Sequence, residues 1–337
     1  KRLRAALATD ACRQGFVIEG ALQTDIGIGG RENNEDACGL WSCSKTDGHG
    51  LSSLGVVAVA DGMGGSAFGE RASSFCIEQV LESAKDNLRI LGGALAFPDN
   101  WRTACQEWLL RLNQEITDLG RNLGVPHDFG STFTAVLFLG RRAFLLHVGD
   151  SRLYIVRNST ISQVTCSQTY AEQLFEEGQL TREEADASMY RHVLTSFLGT
   201  SKCRPQVEEL QLQSGDVLVL CTDGLMEGLS PEDVREIACR FPPPLAVAEM
   251  IRQCKDRLQN AISQQQDSSG PESDNITVSV IRVWCPGPSN GLAEKVGRES
   301  AASEQAEPDN SDRFGSEVAE GGSHARSTDD YGSPHPS

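Results

Sequence analysis

The chain lacks several features that would settle its class quickly. No apolar run in its 337 residues approaches the roughly 18 that cross a bilayer. The basic start Lys1-Arg2-Leu3-Arg4 is not followed by the apolar stretch of a secretory signal. The first residue is Lys1 rather than methionine, so a piece of a longer or processed protein is expected. There are 11 cysteines but no CxxC pair, and six histidines but no HxxxH spacing, which argues against a zinc site. Cys76, Cys105 and Cys221 sit in apolar segments and read as small buried hydrophobes of a reducing, cytoplasmic compartment. His147, inside an apolar strand, reads as a packed core residue. Neither a phosphate-binding P-loop nor a GxGxxG fingerprint is present. Positive charge is scarce: 30 Lys and Arg stand against 47 Asp and Glu, a net charge of −17. That balance disfavours nucleic-acid backbones and anionic membranes as partners.

What is there centres on carboxylates at strand ends. Residues 55–65 read Gly-Val-Val-Ala-Val-Ala-Asp-Gly-Met-Gly-Gly. An uninterrupted apolar run suits a strand covered on both faces. It ends in Asp61, where an anion is costly without a compensating donor, cation or metal. The glycines that follow, Gly62, Gly64 and Gly65, allow the backbone to approach such a partner closely. Taken alone, Asp61-Gly62 also suits an ordinary hairpin turn.

The pattern recurs. Strand-like runs arrive at Asp223 (216–224) and at Asp150 (143–152), and Asp274-Asn275 opens another run at 276–283. Glu35-Asp36 adds an acidic pair. Convergence of these groups is expected, and several carboxylates cannot ionise side by side without cations. Lysine is scarce nearby, and Arg31 and Arg152 are too few. All-oxygen ligands indicate a hard divalent ion, Mg²⁺ or Mn²⁺.

The remaining pattern outlines one α+β domain. Short strands are expected at 23–30 and 37–42, with a Ser/Asp/Gly loop over 44–53. Apolar stripes predict helices over 70–88 (Ala72, Phe75, Cys76, Val80, Ala84, Leu88) and about 100–123, the latter begun by Pro98-Asp99-Asn100. A β-meander is expected over 131–156, and short helices over 166–200, where Thr181 to Glu184 has a capping-box pattern. Ser230-Pro231 opens a further helix, one more covers about 245–258, and a Gln/Ser/Gly loop over 264–273 delivers Asp274. Hairpin-connected strands and paired helices predict antiparallel sheets flanked by helices rather than alternating βαβ units. Residues 1–22 are expected to be an N-terminal extension and 23–285 the domain, with an insert or flap at about 166–200. Residues 286–337, rich in Ser, Gly and acid, are expected to be a disordered tail.

In this order the motifs resemble the PPM-type, metal-dependent Ser/Thr protein phosphatases (the protein phosphatase 2C family), bacterial members in particular. They are Arg31 with Asn34-Glu35-Asp36-Ala37; Asp61-Gly-Met-Gly-Gly65 with Gly69-Glu70 and Ala72-Ser73; Gly130-Ser131-Thr132; Gly149-Asp150-Ser151-Arg152; Asp223-Gly224-Leu225; and Asp274-Asn275-Ile276-Thr277-Val278. The resemblance runs from about Gln23 to Val283. It implies a four-layer α-β-β-α sandwich of two antiparallel sheets between helix pairs. It also implies hydrolysis of phosphoserine and phosphothreonine by water activated on two Mg²⁺ or Mn²⁺ ions. Asp61 would bridge the two metals, with the Gly62 carbonyl as a further ligand. Asp223 and Asp274 would hold the first metal, and Glu35 and Asp36 would serve the second. Asp150, with Asp223, matches a weaker third site, and Arg31 matches the arginine that grips the substrate phosphate. No nucleophile loop of the Cys-x5-Arg kind is present for a covalent route.

The implied partners are phosphorylated proteins, either substrates of Ser/Thr kinases or the kinase itself, acted on by a monomer. There are departures. Ser66 stands where many bacterial relatives have His. Met63 stands where the animal branch has a His offered as general acid, which leaves the leaving-group acid unassigned. Thr165-Cys-Ser-Gln-Thr169 replaces the usual Thr-x-Asp-His-Ser at the flap entrance. The altered flap and Ser66 motivate one alternative, a phosphatase fold reduced to binding; a further alternative is a phosphatase dedicated to one partner-switching regulator.

Overall fold

The computed structural model describes residues 16–29, 31–47, 50–64, 67–90, 100–125, 129–140, 142–264 and 273–284. The expected tail at 286–337 and Gly65 and Ser66 lie outside them.

Eleven strands and seven helices are described, and they build two sheets. The first has the order β1 (Val17–Asp25), β11 (Ile276–Trp284), β10 (Val217–Cys221), β7 (Arg152–Arg157), β8 (Thr160–Gln163). The second has the order β2 (Asp36–Asp47), β3 (Gly50–Met63), β5 (Phe133–Leu139), β6 (Arg142–Val148), β9 (Gln206–Leu210), with the two-residue β4 (Gly130–Ser131) on β3. Every pairing among these strands is antiparallel.

Side chains on alternate positions of a strand face opposite sides of its sheet, and the apolar runs use both. Val57 and Val59 of β3 pack with Leu218, Leu220, Ile281 and Val283 in the layer between the sheets. Val56, Ala58 and Ala60 face the other way, onto α1 (Ala67–Ile90) and α2 (Trp101–Asn122). Val217, Val219 and Cys221 likewise face α5 (Asp223–Gly228), α6 (Pro231–Arg240) and α7 (Pro243–Gln264). The result is the expected α-β-β-α sandwich. The predicted stripes pack as read: Ala72, Cys76, Val80 and Ala84 on α1, and Cys105, Leu109, Leu112 and Ile116 on α2, are buried. The α6 start is a capping box between Ser230 and Asp233, with proline in its first turn.

Local readings are corrected or refined. The first strand is Val17–Asp25, not 23–30, so residues 17–22 of the expected extension are sheet. Pairing with β11 from Val17↔Trp284 onward fixes it. Its end is set by the Asp25 carboxylate accepting the Gly27 N–H at 2.9 Å, an Asx turn. The expected loop over 44–53 is mostly the distal part of the β2–β3 hairpin, paired as Ser44↔Ser53 and Thr46↔Leu51, with 48–49 outside the described residues. Backbone pairing there is indifferent to the polar side chains that suggested a loop. The polar strands β8 and β9 escape a search for apolar runs for the same reason. Asp223 opens the short helix α5, separated by Thr222 from the end of β10 at Cys221. Asn100 occupies the α2 N-cap but makes no side-chain capping bond.

Candidate active site

The carboxylates meet because strands from both sheets end at one rim. Asp36 opens β2 and lies directly opposite Asp61 in the β2–β3 register. Asp223 follows β10 and Asp274 precedes β11, neighbours in the other sheet. Asp150 follows β6 through Gly149. Two bonds cross between the sheets at this point. The Thr222 hydroxyl donates to Asp36 Oδ2 at 2.7 Å, and Glu35 N–H donates to Asn275 Oδ1 at 2.8 Å. Asp61 is tied by its backbone, its N–H to Thr132 Oγ1 at 2.9 Å and its carbonyl to Thr132 N–H at 2.8 Å.

The glycines serve close approach. The Gly62 N–H donates to the Glu35 carbonyl at 3.0 Å, and the Ser73 hydroxyl reaches the same oxygen at 2.6 Å. A side chain on Gly62 would strike the Gly69 carbonyl, and one on Gly69 would strike the Glu35 carboxylate. The Glu35 side chain therefore lies against the first turn of α1. Gly64 has φ 138°, a conformation that side chains rarely adopt.

Electrostatically the rim is strained. Burial pushes the Asp61 carboxyl well above the usual range, and Asp36, Asp223, Asp150 and Asp274 push it further. Burial also raises Asp36, against the hydroxyls of Thr222 and Thr277, with repulsion from Asp223 and Asp274 added. Asp150 is pushed up to about 7, by burial and then by Asp223, with Arg152 and His192 opposing. Asp274 is raised by burial and by Asp223, while Arg31, 3.0 Å from Asp274 Oδ1, opposes.

Among the described residues no three His, Cys, Asp or Glu side chains already close on a single coordination point. The donor set nonetheless fits a hard cation. It is all oxygen, it repels itself, and Asp223 Oδ1 is buried with no hydrogen-bond partner. Arg31 Nε is likewise buried and unpartnered.

Asn275 holds the rim together, being 2% exposed. Its Nδ2 donates to the Ile26 carbonyl at 3.0 Å and to that of Asn33 at 3.4 Å, while its Oδ1 accepts from Glu35. Asn275→Asp removes both donations and adds an anion beside Asp274. We expect it to lower stability by about 2–4 kcal/mol and to weaken Mn²⁺ binding, read by thermal denaturation with and without the ion.

Two neighbours of the site had no signal in the sequence. His192, from the insert, places Nδ1 3.2 Å from Asp223 Oδ2, and that bond raises its pKa. Glu227, on α5, accepts the Asp274 N–H at 3.3 Å and is raised by burial. His192 lies 31 residues from its partner in a polar stretch. Glu227 becomes visible only once α5 is known. The divergent flap entrance is well built. Gln168 exchanges bonds with Gly149, N–H to carbonyl at 2.8 Å and Oε1 from N–H at 3.0 Å, next to Asp150. Thr169 caps α3 (Tyr170–Glu176), and α4 (Arg182–Asp186) carries the predicted box of Thr181 and Glu184. His147 is a core residue as read: burial lowers its pKa to about 4, and Nδ1 lies 2.8 Å from the Thr134 hydroxyl.

A four-layer sandwich with a buried carboxylate rim between its sheets defines a class of hard-cation centres on an α+β frame. The protein phosphatase 2C family model matches residues 28–266, and the chain belongs to that family. It is 30% identical over 268 residues to the serine/threonine protein phosphatase PstP of Mycobacterium tuberculosis, covering 80% of this chain and 45% of PstP. It therefore spans less than half the length of that relative. The protein phosphatase PhpP of Streptococcus pneumoniae is 27% identical, over 79% of this chain and 98% of PhpP. Among solved structures, M. tuberculosis PstP/Ppp superposes with TM-score 0.63 at 28% identity, covering 79% of this chain and 99% of that one. The PstP catalytic domain in complex with two manganese ions gives TM-score 0.61 at 28% identity, covering 80% and 99%.

Proposed function

We propose that this chain is a metal-dependent protein serine/threonine phosphatase that hydrolyses phosphoserine and phosphothreonine by direct attack of water. The observation that carries this reading is Asp61, a half-buried carboxylate at a strand end on which Asp36, Asp150, Asp223 and Asp274 all act. Asp61 would serve both of two Mg²⁺ or Mn²⁺ ions, with the Gly62 carbonyl as a further ligand, Asp223 and Asp274 would hold the first, and Glu35 and Asp36 would serve the second. Asp150 with Asp223 is assigned to a weaker third. When bound, such ions lower the pKa of the attacking water and offset charge on the phosphoryl oxygens.

The protein's own groups do the rest. Thr132, Thr222 and Asn275 fix the carboxylates and the strand ends that carry them. Gly62 and Gly64 support a backbone path that no side chain obstructs. Arg31, whose Nη2 lies 3.0 Å from Asp274 Oδ1, carries a planar fork suited to two phosphate oxygens. A fold kept only for binding is not favoured, since no carboxylate of the set is missing and the relatives are phosphatases. We assign the protein to the cytoplasm as a monomer acting on kinase substrates or on a kinase. No helix among the described residues is long and apolar enough to cross a membrane.

The test is release of phosphate from phosphothreonine peptides with Mn²⁺, compared with phosphotyrosine peptides. Arg31→Ala is expected to lower kcat/KM on the phosphothreonine peptide by about 10- to 100-fold, with Arg31→Lys recovering part of it. An Arg31→Ala enzyme with wild-type kcat/KM would remove Arg31 from the phosphate site.

A further inference from the structure

The insert between β8 and β9 carries an unusual surface. Tyr170, Met189, Tyr190 and Val193 are exposed, and the first and third stack edge-on with centroids 5.3 Å apart. The strap from His192 to Thr195 is tied to residues 168–170 by backbone bonds, Tyr170 N–H to Val193 O and Thr195 N–H to Gln168 O, both 2.8 Å. Beside it lies a groove of about 700 Å³, within the range of clefts that hold ligands. Tyr170, Val193 and Phe197 give it apolar walls, while Lys202 and Arg204 give it positive charge.

Two features suggest its occupant. The first is charge. In a chain of net charge −17 this lining has two cations and no carboxylate. Lys202 and Arg204 are exposed and have no ion-pair partner among the described residues. The only side-chain bond described for the Arg204 guanidinium goes to the Thr195 hydroxyl at 3.0 Å. The second is continuity. His192 bonds Asp223 of the carboxylate rim, and the next residue, Val193, is already in the groove wall. Consecutive Cα atoms are only about 3.8 Å apart. A polypeptide whose phosphorylated side chain reaches the rim thus has this groove next to it.

We propose that the groove docks the stretch of substrate polypeptide flanking the phosphorylated residue, and that it selects a stretch combining an apolar residue with acidic ones. The inference rests on the phosphatase reading above. The chain as a whole repels acidic partners, so local positive charge at the groove is what discriminates among them.

The experiment compares kcat/KM on two phosphothreonine peptides that share a flanking leucine and differ in flanking Glu or Lys. p-Nitrophenyl phosphate, which has no flanking residues, reports the centre alone. The protein is used with Mn²⁺, as wild type and as the double variant Lys202→Glu, Arg204→Glu. Wild type is expected to prefer the acidic peptide about tenfold, mostly through KM. In the double variant the ratio of acidic-peptide to p-nitrophenyl phosphate turnover should fall by a similar factor. Fluorescence anisotropy of the labelled acidic peptide, without its phosphate, reads docking independently of turnover and should weaken in parallel. Equal use of both peptides, a preference for the basic one, or a ratio and anisotropy unmoved by the double variant overturns the proposal. Absence of turnover on every substrate, with anisotropy still dependent on Lys202 and Arg204, would instead strike the phosphatase reading and leave the groove standing.

Discussion

Asp61→Asn is expected to cut phosphatase turnover by about 10³-fold or more while making the metal-free protein more stable. Both halves follow from one position. Asp61 is the carboxylate assigned to two ions, and each ion supplies several kcal/mol of transition-state charge stabilisation, where about 1.4 kcal/mol is a factor of ten in rate. Asparagine keeps the shape and loses the charge that holds them. Without metal, Asp61 only adds repulsion to a set that includes Asp36, Asp150, Asp223 and Asp274. Its neutral isostere relieves that repulsion, and a rise of a few °C in Tm for the metal-free variant is expected. Kinetics on a phosphothreonine peptide and thermal melts with and without Mn²⁺ measure the two effects together. Turnover within tenfold of wild type would end the bridging assignment. A metal-free variant that melts lower than metal-free wild type would show that the carboxylates do not repel as described.

That opposition between function and stability is also what made the site legible. A carboxylate terminating Val56–Ala60 breaks the agreement between local pattern and global burial, and such breaks tend to mark functional sites. Asp61, Asp150, Asp223 and Asp274 all carried the signal because each follows or precedes an apolar strand. The layers were legible for a related reason: strands buried on both faces read as continuous apolar runs, and α1 and α2 read as stripes. What was not legible depends on contacts distant in the chain. β9 is five polar and apolar residues that become a strand only by pairing with β6. His192 acquires meaning only when the insert folds back to Asp223. Glu35 and Asp36 are adjacent in sequence, yet they diverge. Asp36 faces Asp61 across β2–β3, while the Glu35 carboxylate packs on Gly69. An extended chain sends successive side chains to opposite sides, so an acidic pair does not deliver two carboxylates to one point without a further bend.

Chelation carries the second large effect, and its pH dependence tests the electrostatics directly. Removing divalent ions with EDTA is expected to abolish turnover and excess Mn²⁺ to restore it. Bound ions also stabilise the fold by mass action, so Mn²⁺ should raise Tm, by an amount that depends on pH. Asp150 takes up its proton at about 7 in the folded, metal-free protein, against an ordinary value of 3.8. Between those values the folded state binds more protons than the unfolded state, so stability falls as pH rises through the window. A three-unit difference corresponds to a loss on the order of 4 kcal/mol for this one group. Asp36, Asp61 and Asp274 are displaced in the same direction. His147 works in the opposite sense. It is held neutral down to about 4 by burial, so its contribution is lost as pH falls below the ordinary histidine value. A melt of the metal-free protein alone would therefore show two slopes cancelling between pH 4 and 6.5. The difference between Mn²⁺-loaded and metal-free Tm removes the His147 contribution, which is common to both. That difference is expected to grow as pH rises from 5 through about 7, as Asp150 loses the proton that competes with the ion. An increment independent of pH would mean that the carboxylates are already ionised without metal, and that burial and mutual repulsion do not govern this rim.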